Sequence, residues 1–137
     1  MASVQFIDNT IEVIGAIKDA ALVFLEEAAG ELESQAMRNT RVDTGQTKGA
    51  WSHKIEESAL QAIVGNPLEN AIWEEFGTGE YAVNGNGRKT PWRYQDVRGN
   101  WHTTTGKRPS RAFERARTEV EPKIVQAAKE TFGSLLK

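Results

Sequence analysis

Apolar residues at helical spacing occupy both ends of this 137-residue chain, and they limit the folds open to it more than any other feature. Between Ile14 and Leu32 an apolar side chain recurs every three or four residues, with charged residues in the intervening positions. This spacing is typical of a helix that buries one face, and we predict that it spans residues 10–38, about 43 Å at 1.5 Å per residue. Asn9 is expected to cap it. A helix of this length either packs entirely within its own domain or extends past it to a neighbouring subunit.

A second stripe of apolar residues runs from Phe113 towards Leu135 and predicts a C-terminal helix. Ser110 is expected to cap this helix at its start. Pro122 lies inside the stripe, and because proline lacks a backbone donor we expect it to kink or restart the helix.

Between the predicted helices the period of the apolar pattern changes to two. Residues 51–56 and 60–64 predict a hairpin with one face on the core, where His53 is expected to be a packed histidine rather than a ligand. Residues 92–94 and 101–103 predict a second hairpin, whose aromatic side chains are expected to pair across the strands.

The order of these elements predicts an α+β fold. We expect a long N-terminal helix and a C-terminal helix packed on a small antiparallel sheet of hairpins, within one domain that spans residues 1–137. The glycine-rich polar segment at about residues 77–90 predicts a long flexible loop in the middle of the chain, which is mobile alone and ordered by a partner.

A short helix is expected immediately before this loop, at residues 70–76. Ile72 and Phe76 are four positions apart and are expected to face the core together. The adjacent Glu74 and Glu75 are expected to lie on the solvent-exposed face.

Residue types that perform chemistry are scarce in this chain. It has no cysteine and two histidines, and it contains no phosphate-binding loop, dinucleotide-binding fingerprint or His-Glu-x-x-His sequence. We therefore expect no enzymatic activity, no metal site and no bound cofactor. No apolar run approaches the roughly 20 residues of a membrane span, so we expect no membrane association.

Charge is distributed unevenly along the sequence. Residues 88–117 carry nine basic and two acidic side chains, whereas the chain as a whole has a net charge of −2. A polarised subunit of this kind can bind copies of itself or another charged partner. Because Trp92, Tyr94 and Trp101 are interleaved with the basic residues, single-stranded nucleic acid that stacks on these rings is an alternative partner.

Several short sequences, taken together with their order and spacing along the chain, resemble those of a known family. They are Val42-Asp43-Thr44-Gly45, Ala50-Trp51-Ser52, Val64-Gly65, Trp73-Glu74-Glu75-Phe76-Gly77-Thr78-Gly79, Pro91-Trp92-Arg93-Tyr94, residues 106–109 and residues 113–116. Over residues 10–132 the chain resembles the gene-product-ten-like family of tailed phages. Members of that family look like tail-completion or head–tail joining proteins of long-tailed phages and prophages.

The resemblance implies a structural virion protein that acts by assembly. It implies a ring at the junction of the head–neck and the tail, expected to be hexameric and built from subunits that are monomeric when free. The implied partners are other copies of the chain, the neck or connector proteins and the tail tube protein, with DNA in the channel as a further contact. The implied location is the neck–tail junction of the virion, reached after assembly in the cytoplasm of the host bacterium.

Contacts with other subunits and partners are expected in and around the central loop. The residues are Trp73, Glu75, Phe76, Gly77, Thr78, Gly79, Tyr81, Arg88, Lys89, Trp92, Arg93, Arg98, Lys107 and Arg108. The alternative function is a nucleic-acid-binding accessory protein of a phage or prophage, which would use the basic aromatic segment at residues 88–117.

Overall fold

The computed structural model describes residues 10–42 and 45–135 and has the predicted α+β fold. The two hairpins form separate antiparallel sheets of two strands each. The expected cap Asn9 lies outside the described residues. In chain order the elements are α1 (Thr10–Asn39), α2 (Gln46–Gly49), β1 (Ser52–Glu56), β2 (Gln61–Gly65), α3 (Glu69–Phe76), a single 3₁₀ turn (Gly79–Tyr81), β3 (Trp92–Gln95), β4 (Trp101–Thr104) and α4 (Ala112–Leu135).

Helices α1 and α4 are antiparallel and pack against each other along most of α4. At the end of α1 the side chain of Asn39 donates a 3.2 Å hydrogen bond to the carbonyl oxygen of Ala112, at the start of α4. Near the C-terminal end of α4 the ring of Phe132 meets that of Phe24, in the middle of α1, edge to face, with 5.8 Å between their centroids. The side chains buried in the core are small, which lets the helices approach closely. The buried apolar residues are Ala29, Ala36, Ala71, Ala112, Ala116 and Val120.

The N-terminal turns of α1 extend beyond this packing. Phe24 already lies against Phe132, close to the end of α4, so the preceding turns of α1 have little of α4 beside them. Ile11 is 88% exposed, and Ile14 is also exposed. Among the described residues nothing covers these apolar side chains, so this end of α1 is not packed entirely within its own domain, and contact with a neighbouring subunit, the other alternative, stays a prediction.

The β1–β2 hairpin packs on α1 through His53. The imidazole Nε2 lies 2.7 Å from Glu26, and Nδ1 is hydrogen-bonded to Glu33. These hydrogen bonds, of which the one to Glu26 has the larger effect and the one to Glu33 the next, raise the pKa of His53 above its ordinary value. The histidine is packed, as expected, but against two carboxylates of α1 rather than on an apolar face.

The β3–β4 hairpin forms as predicted, but its aromatic residues do not pair in the expected way. Trp92 lies opposite Thr104, and Trp101 lies opposite Gln95. The ring that stacks across the strands is instead that of His102, 5.2 Å from the ring of Tyr94.

Helix α3 forms where it was predicted, with a different face buried. Ile72 and Phe76 are exposed, so the prediction that they face the core is wrong. Ala71 and Glu74 are buried instead. The small side chain of Ala71 permits close packing, and Glu74 is paired with the exposed cations Arg41 and Lys107, as described below.

Pro122 neither ends nor restarts α4, which is continuous from Ala112 to Leu135. Pro122 itself is exposed, while Val120 is buried and Ile124 is partly buried. Packing of the apolar face on both sides of the proline holds the helix together although one backbone donor is missing.

Candidate interaction surface

Two segments that flank the β3–β4 hairpin are bound to each other, and we call them the base: residues 77–81 and residues 105–109. The N–H of Thr78 donates to the carbonyl oxygen of Lys107 at 2.9 Å. In return, the N–H of Lys107 donates to the hydroxyl of Thr78, also at 2.9 Å. The first residues of the predicted loop are therefore held within their own subunit, whereas the mobility of the remainder stays a prediction.

Two glycines allow the base segments to approach this closely. Gly79 has φ 61° and Gly106 has φ 140°, which are conformations that other residues rarely adopt. A side chain at Gly79 would collide with the carbonyl oxygen of Thr105, and one at Gly106 would collide with that of Thr78. The geometry of the base therefore requires glycine at both positions.

Glu74 ties the base to the rest of the subunit, which contradicts the prediction that it faces solvent. It is 9% exposed; Arg41 donates to its carboxylate at 2.8 Å, and the ammonium group of Lys107 forms an ion pair with it. Burial alone would raise the pKa of Glu74, but hydrogen bonds from Lys107 and Arg41 outweigh it, and the pKa is lowered. One charged carboxylate therefore connects α3, the base and the segment that follows α1.

The prediction that Glu75 faces solvent is also wrong, because its carboxylate is largely buried and caps α4. Its carboxylate accepts hydrogen bonds from the N–H groups of Phe113 at 2.9 Å and Glu114 at 3.0 Å. The predicted cap, Ser110, accepts a longer bond of 3.3 Å from Ala112. A carboxylate at this position also interacts favourably with the positive end of the helix dipole, so Glu75 is the stronger cap.

The segment that projects from the base, residues 88–104, contains the β3–β4 hairpin, and we call it the arm. Within the described part of the chain, α1 packs extensively on α4 and on the β1–β2 hairpin. The β3–β4 hairpin makes no contact of that extent with any helix or with the other hairpin. Val97, in the turn of the hairpin, is 91% exposed. On the strands, Trp101 is 60% exposed and Tyr94 is also exposed. Exposed large apolar side chains clustered on one element are characteristic of a surface that binds a partner.

The arm is also positively charged. Across residues 10–42 and 45–135, no carboxylate lies within ion-pair distance of Arg88, Lys89, Arg93 or Arg98. The guanidinium of Arg88 lies over Trp92, 5.8 Å from its centroid, and that of Arg93 lies 5.3 Å from Trp101. The basic charge of the arm is therefore available to an external partner.

The acidic residue of the arm, Asp96, is used within the turn. Its carboxylate bonds to His102 at 2.7 Å and accepts from the N–H groups of Arg98 and Asn100, each at 2.9 Å. These interactions, led by the hydrogen bond to His102, lower the pKa of Asp96. Asp96 shapes the turn and leaves the neighbouring basic residues unneutralised.

An open cleft of ≈ 970 Å³ lies between the arm and α3. Trp73 and Glu74 line it from α3, and Trp92 and Tyr94 line it from the arm. Four of the residues predicted as contacts therefore belong to the walls of the same cleft: Trp73, Thr78, Trp92 and Lys107.

The residues predicted as contacts fall into three groups in the structure, on the arm, on the base and on α3. Those of the arm are four basic residues without carboxylate partners in the described part of the chain and the partly exposed Trp92, whereas Thr78, Lys107 and Arg108 of the base are bound to other residues of the same chain. Lys107 pairs with Glu74, and the guanidinium of Arg108 lies 4.6 Å from the ring centroid of Tyr81. The arm members are Arg88, Lys89, Trp92, Arg93 and Arg98; the base members are Gly77, Thr78, Gly79, Tyr81, Lys107 and Arg108; Trp73, Glu75 and Phe76 lie on α3.

Sequence reasoning missed Glu74 and Arg41 as the residues that fix the base. They are separated by 33 positions, and no motif or spacing links them. The signal that the sequence did offer was the run of glycines around Thr78, which marks a close backbone approach without identifying the segment approached.

Among the described residues, no group of three or more His, Asp or Glu side chains is placed to hold a metal ion. None of the helices described is both long enough and apolar enough to cross a bilayer.

Comparisons of the chain with models of known protein families, with curated proteins and with solved structures find no match.

Proposed function

We propose that this chain is a structural subunit of a tailed phage, which assembles into a ring at the junction of head and tail and completes the tail without catalysis. Its partners are other copies of itself, the neck or connector proteins and the tail tube protein, and the ring is hexameric. Free subunits are monomeric in the host cytoplasm, and the finished ring lies at the neck–tail junction of the virion.

The observation that carries this proposal is the arm. It projects from a base that hydrogen bonds and an ion pair hold in place, and it exposes Val97 and Trp101 beside unpaired Arg93 and Arg98. A subunit with such an arm and a net acidic remainder is suited to contacts between different surfaces of successive copies, which generate rings. The motifs around Gly77-Thr78-Gly79 resemble those of phage tail-completion proteins, which supports a tailed phage as the particle in which the ring assembles.

The test is removal of the gene from the phage that encodes it, followed by electron microscopy of the lysate. We expect full heads and finished tails that fail to join, because the subunit that bridges them is missing. Expression of the wild-type chain from a plasmid should restore joined particles. Normal infectious particles in the absence of the protein would contradict the proposal.

Complementation with charge-reversed variants tests the contribution of the arm. Arg98→Glu reverses an unpaired charge at the arm turn and is expected to leave heads and tails separate. Lys129→Glu makes the same change at an exposed position of α4 and is expected to support joining.

A specific observation also favours the second candidate function, nucleic-acid binding. The arm holds two guanidinium–tryptophan pairs, at Arg88–Trp92 and Arg93–Trp101, and such pairs are suited to stacking on bases. This function predicts tight binding of random-sequence single-stranded DNA, with affinity that falls steeply as salt rises. Weak binding without a salt dependence would exclude it in favour of protein contacts.

A further inference from the structure

A shallow apolar groove lies between α1 and α4, on a surface separate from the cleft beside the arm. Its volume is ≈ 270 Å³, which suits one or two side chains rather than a large ligand. Phe24 and Ile124 contribute apolar surface and are both partly exposed. The groove is lined by Phe24, Glu27, Ala28, Glu31, Lys123, Ile124 and Ala127.

The rim of this groove carries acidic charge that the subunit leaves largely uncompensated. The nearest base to Glu31 is Lys123, with 4.0 Å between Nζ and Oε1, at the limit of an ion pair. Glu27 forms no ion pair with any residue that the structure describes. Helical spacing places Val23 and Asp19 on the same face of α1 as Glu27, so an acidic and apolar surface continues beyond the groove.

The arm has the complementary properties. Its turn presents Val97 and Arg98, and the exposed ring of Trp101 lies nearby with Arg93 over it. The two guanidinium groups lack carboxylate partners among the described residues, and the two apolar side chains lack a covering surface. Each surface therefore has the charge and the apolar area that the other requires.

We infer that the arm of one copy binds the α1–α4 groove of a second copy, with Val97 or Trp101 against Phe24 and Ile124. Arg98 then lies beside the acidic rim. The inference deepens the proposed function, and it rests on the self-association proposed there, because it names the two surfaces by which subunits associate. Apolar burial supplies affinity in such a contact, and charge complementarity selects the partner and its orientation.

This contact joins two different surfaces, so it can repeat from copy to copy. Within one subunit the arm is attached near the C-terminal end of α1, where Arg41 binds Glu74, whereas the groove lies farther along α1 around Ala28. Each copy therefore offers one arm and one groove. Such a heterologous contact closes into a ring when the rotation between copies allows it.

The absence of cysteine in the chain permits a direct test by disulfide capture. Val97→Cys places a thiol at the turn of the arm, and Ala28→Cys places one in the groove. The two purified variants are mixed at a concentration high enough for the monomers to associate, oxidised mildly, and analysed by mass spectrometry for the disulfide between the two cysteines. Because a disulfide needs its two Cα atoms within about 7 Å, it forms efficiently only if the arm occupies the groove.

The matched control pairs Val97→Cys with Lys129→Cys. Lys129 is exposed, and helical spacing places it on the face of α4 opposite the groove residues. We expect the yield of the Val97–Ala28 pair to exceed that of the control by about tenfold, since binding raises the effective concentration of the thiols. A yield equal to the control would overturn the inference.

Charge reversal adds a readout that a general loss of folding would not produce. Arg98→Glu in the arm variant should reduce the disulfide yield to the control level, and Glu27→Lys in the groove variant should then restore it. A disulfide yield that neither charge reversal changes would overturn the inference.

Failure of this contact and failure of the proposed function have different signatures. If heads and tails fail to join without the protein but the thiol pair does not link, the joining role stands and this contact is wrong. If the thiol pair links but phage particles are normal without the protein, the contact stands and the role in the virion is wrong.

Discussion

Glu74, Gly79 and Gly106 show how few side chains determine where the arm is attached. Glu74 draws Arg41 and Lys107 to one buried carboxylate, and the glycines bring the two segments of the base into backbone contact. A change at any of these positions acts on the base before it acts on the exposed residues of the arm. Effects on assembly should therefore be interpreted only after stability has been measured.

Gly79→Ala should destabilise the subunit strongly. The new methyl group would meet the carbonyl oxygen of Thr105, at a backbone φ of 61° that alanine disfavours. We expect the free energy of unfolding to fall by about 2–4 kcal/mol, measured by urea denaturation. The control is Gly30→Ala, in the interior of α1 with open space around the added carbon, which should raise the free energy of unfolding by about 0.5–1 kcal/mol. Equal effects of the two substitutions would contradict the account of the base.

His53 should make stability depend on pH near and above neutrality. Its hydrogen bonds to Glu26 and Glu33 raise its pKa above the ordinary value of 6.5, so the folded state binds the proton more tightly than the unfolded state. The stabilising contribution is full below pH 6.5 and is lost as the pH rises through the raised pKa of the folded state. Denaturation of the wild type across this range should show the loss, and His53→Gln should remove this part of the pH dependence. An unchanged profile in His53→Gln would show that these contacts contribute little.

At the scale of elements, the start of α4 depends on a side chain of α3. Arg111, which precedes α4, has φ 55°. The N–H groups of Phe113 and Glu114 donate to Glu75, whereas the local cap Ser110 accepts only a long hydrogen bond of 3.3 Å. The two helices are therefore coupled through the carboxylate of Glu75.

Glu75→Ala should destabilise α4 by about 1–2 kcal/mol, because it removes both the acceptors and the charge at the helix N-terminus. Glu75→Gln keeps an acceptor and should cost less. Urea denaturation followed by far-ultraviolet circular dichroism measures both. Glu57→Gln, in the exposed β1–β2 turn, is the control for loss of one acidic charge and should change stability by less than about 0.5 kcal/mol. A Glu75→Ala effect no larger than this control would refute the capping role.

The sequence predicted the elements that have a long or regular apolar period. Helix α1 ends at Asn39, one residue beyond the predicted range, and both hairpins lie where alternation placed them. The eight residues of α3 are too few for the period to define a face, and the partners that bury Glu74 are distant in sequence. The register of β3–β4 depends on the turn, in which Asp96 bonds to Asn100, so Trp101 lies opposite Gln95 rather than an aromatic residue.

At the scale of the whole molecule, the subunit consists of a helical body and an arm that is nearly independent of it. The body includes the α1–α4 packing and the β1–β2 hairpin, and the arm is joined to it through the base. Only the body has a core in the described residues. Local opening of the arm should therefore cost less free energy than opening of the helices.

Amide hydrogen exchange should reveal this difference directly. We expect the β3–β4 amides of the free subunit to exchange well before those around Ala36 and Ala116, because the hairpin packs on no other element to a comparable extent. Exchange of the hairpin should slow when the subunit assembles, while the helix amides change little. Equal protection of the hairpin and the helices in the free subunit would contradict the independence of the arm.

The core of alanines and one valine, with large apolar side chains such as Val97 and Trp101 left in water, has a calorimetric consequence. Unfolding a free subunit newly hydrates less apolar surface than unfolding a compact domain of equal length. Its heat capacity increment should therefore fall below the usual ~12–15 cal/mol/K per residue, which broadens the temperature range over which its modest stability is nearly constant. In the proposed ring, where these side chains would be covered, the protein should unfold with a larger increment per chain and a more sharply curved stability profile.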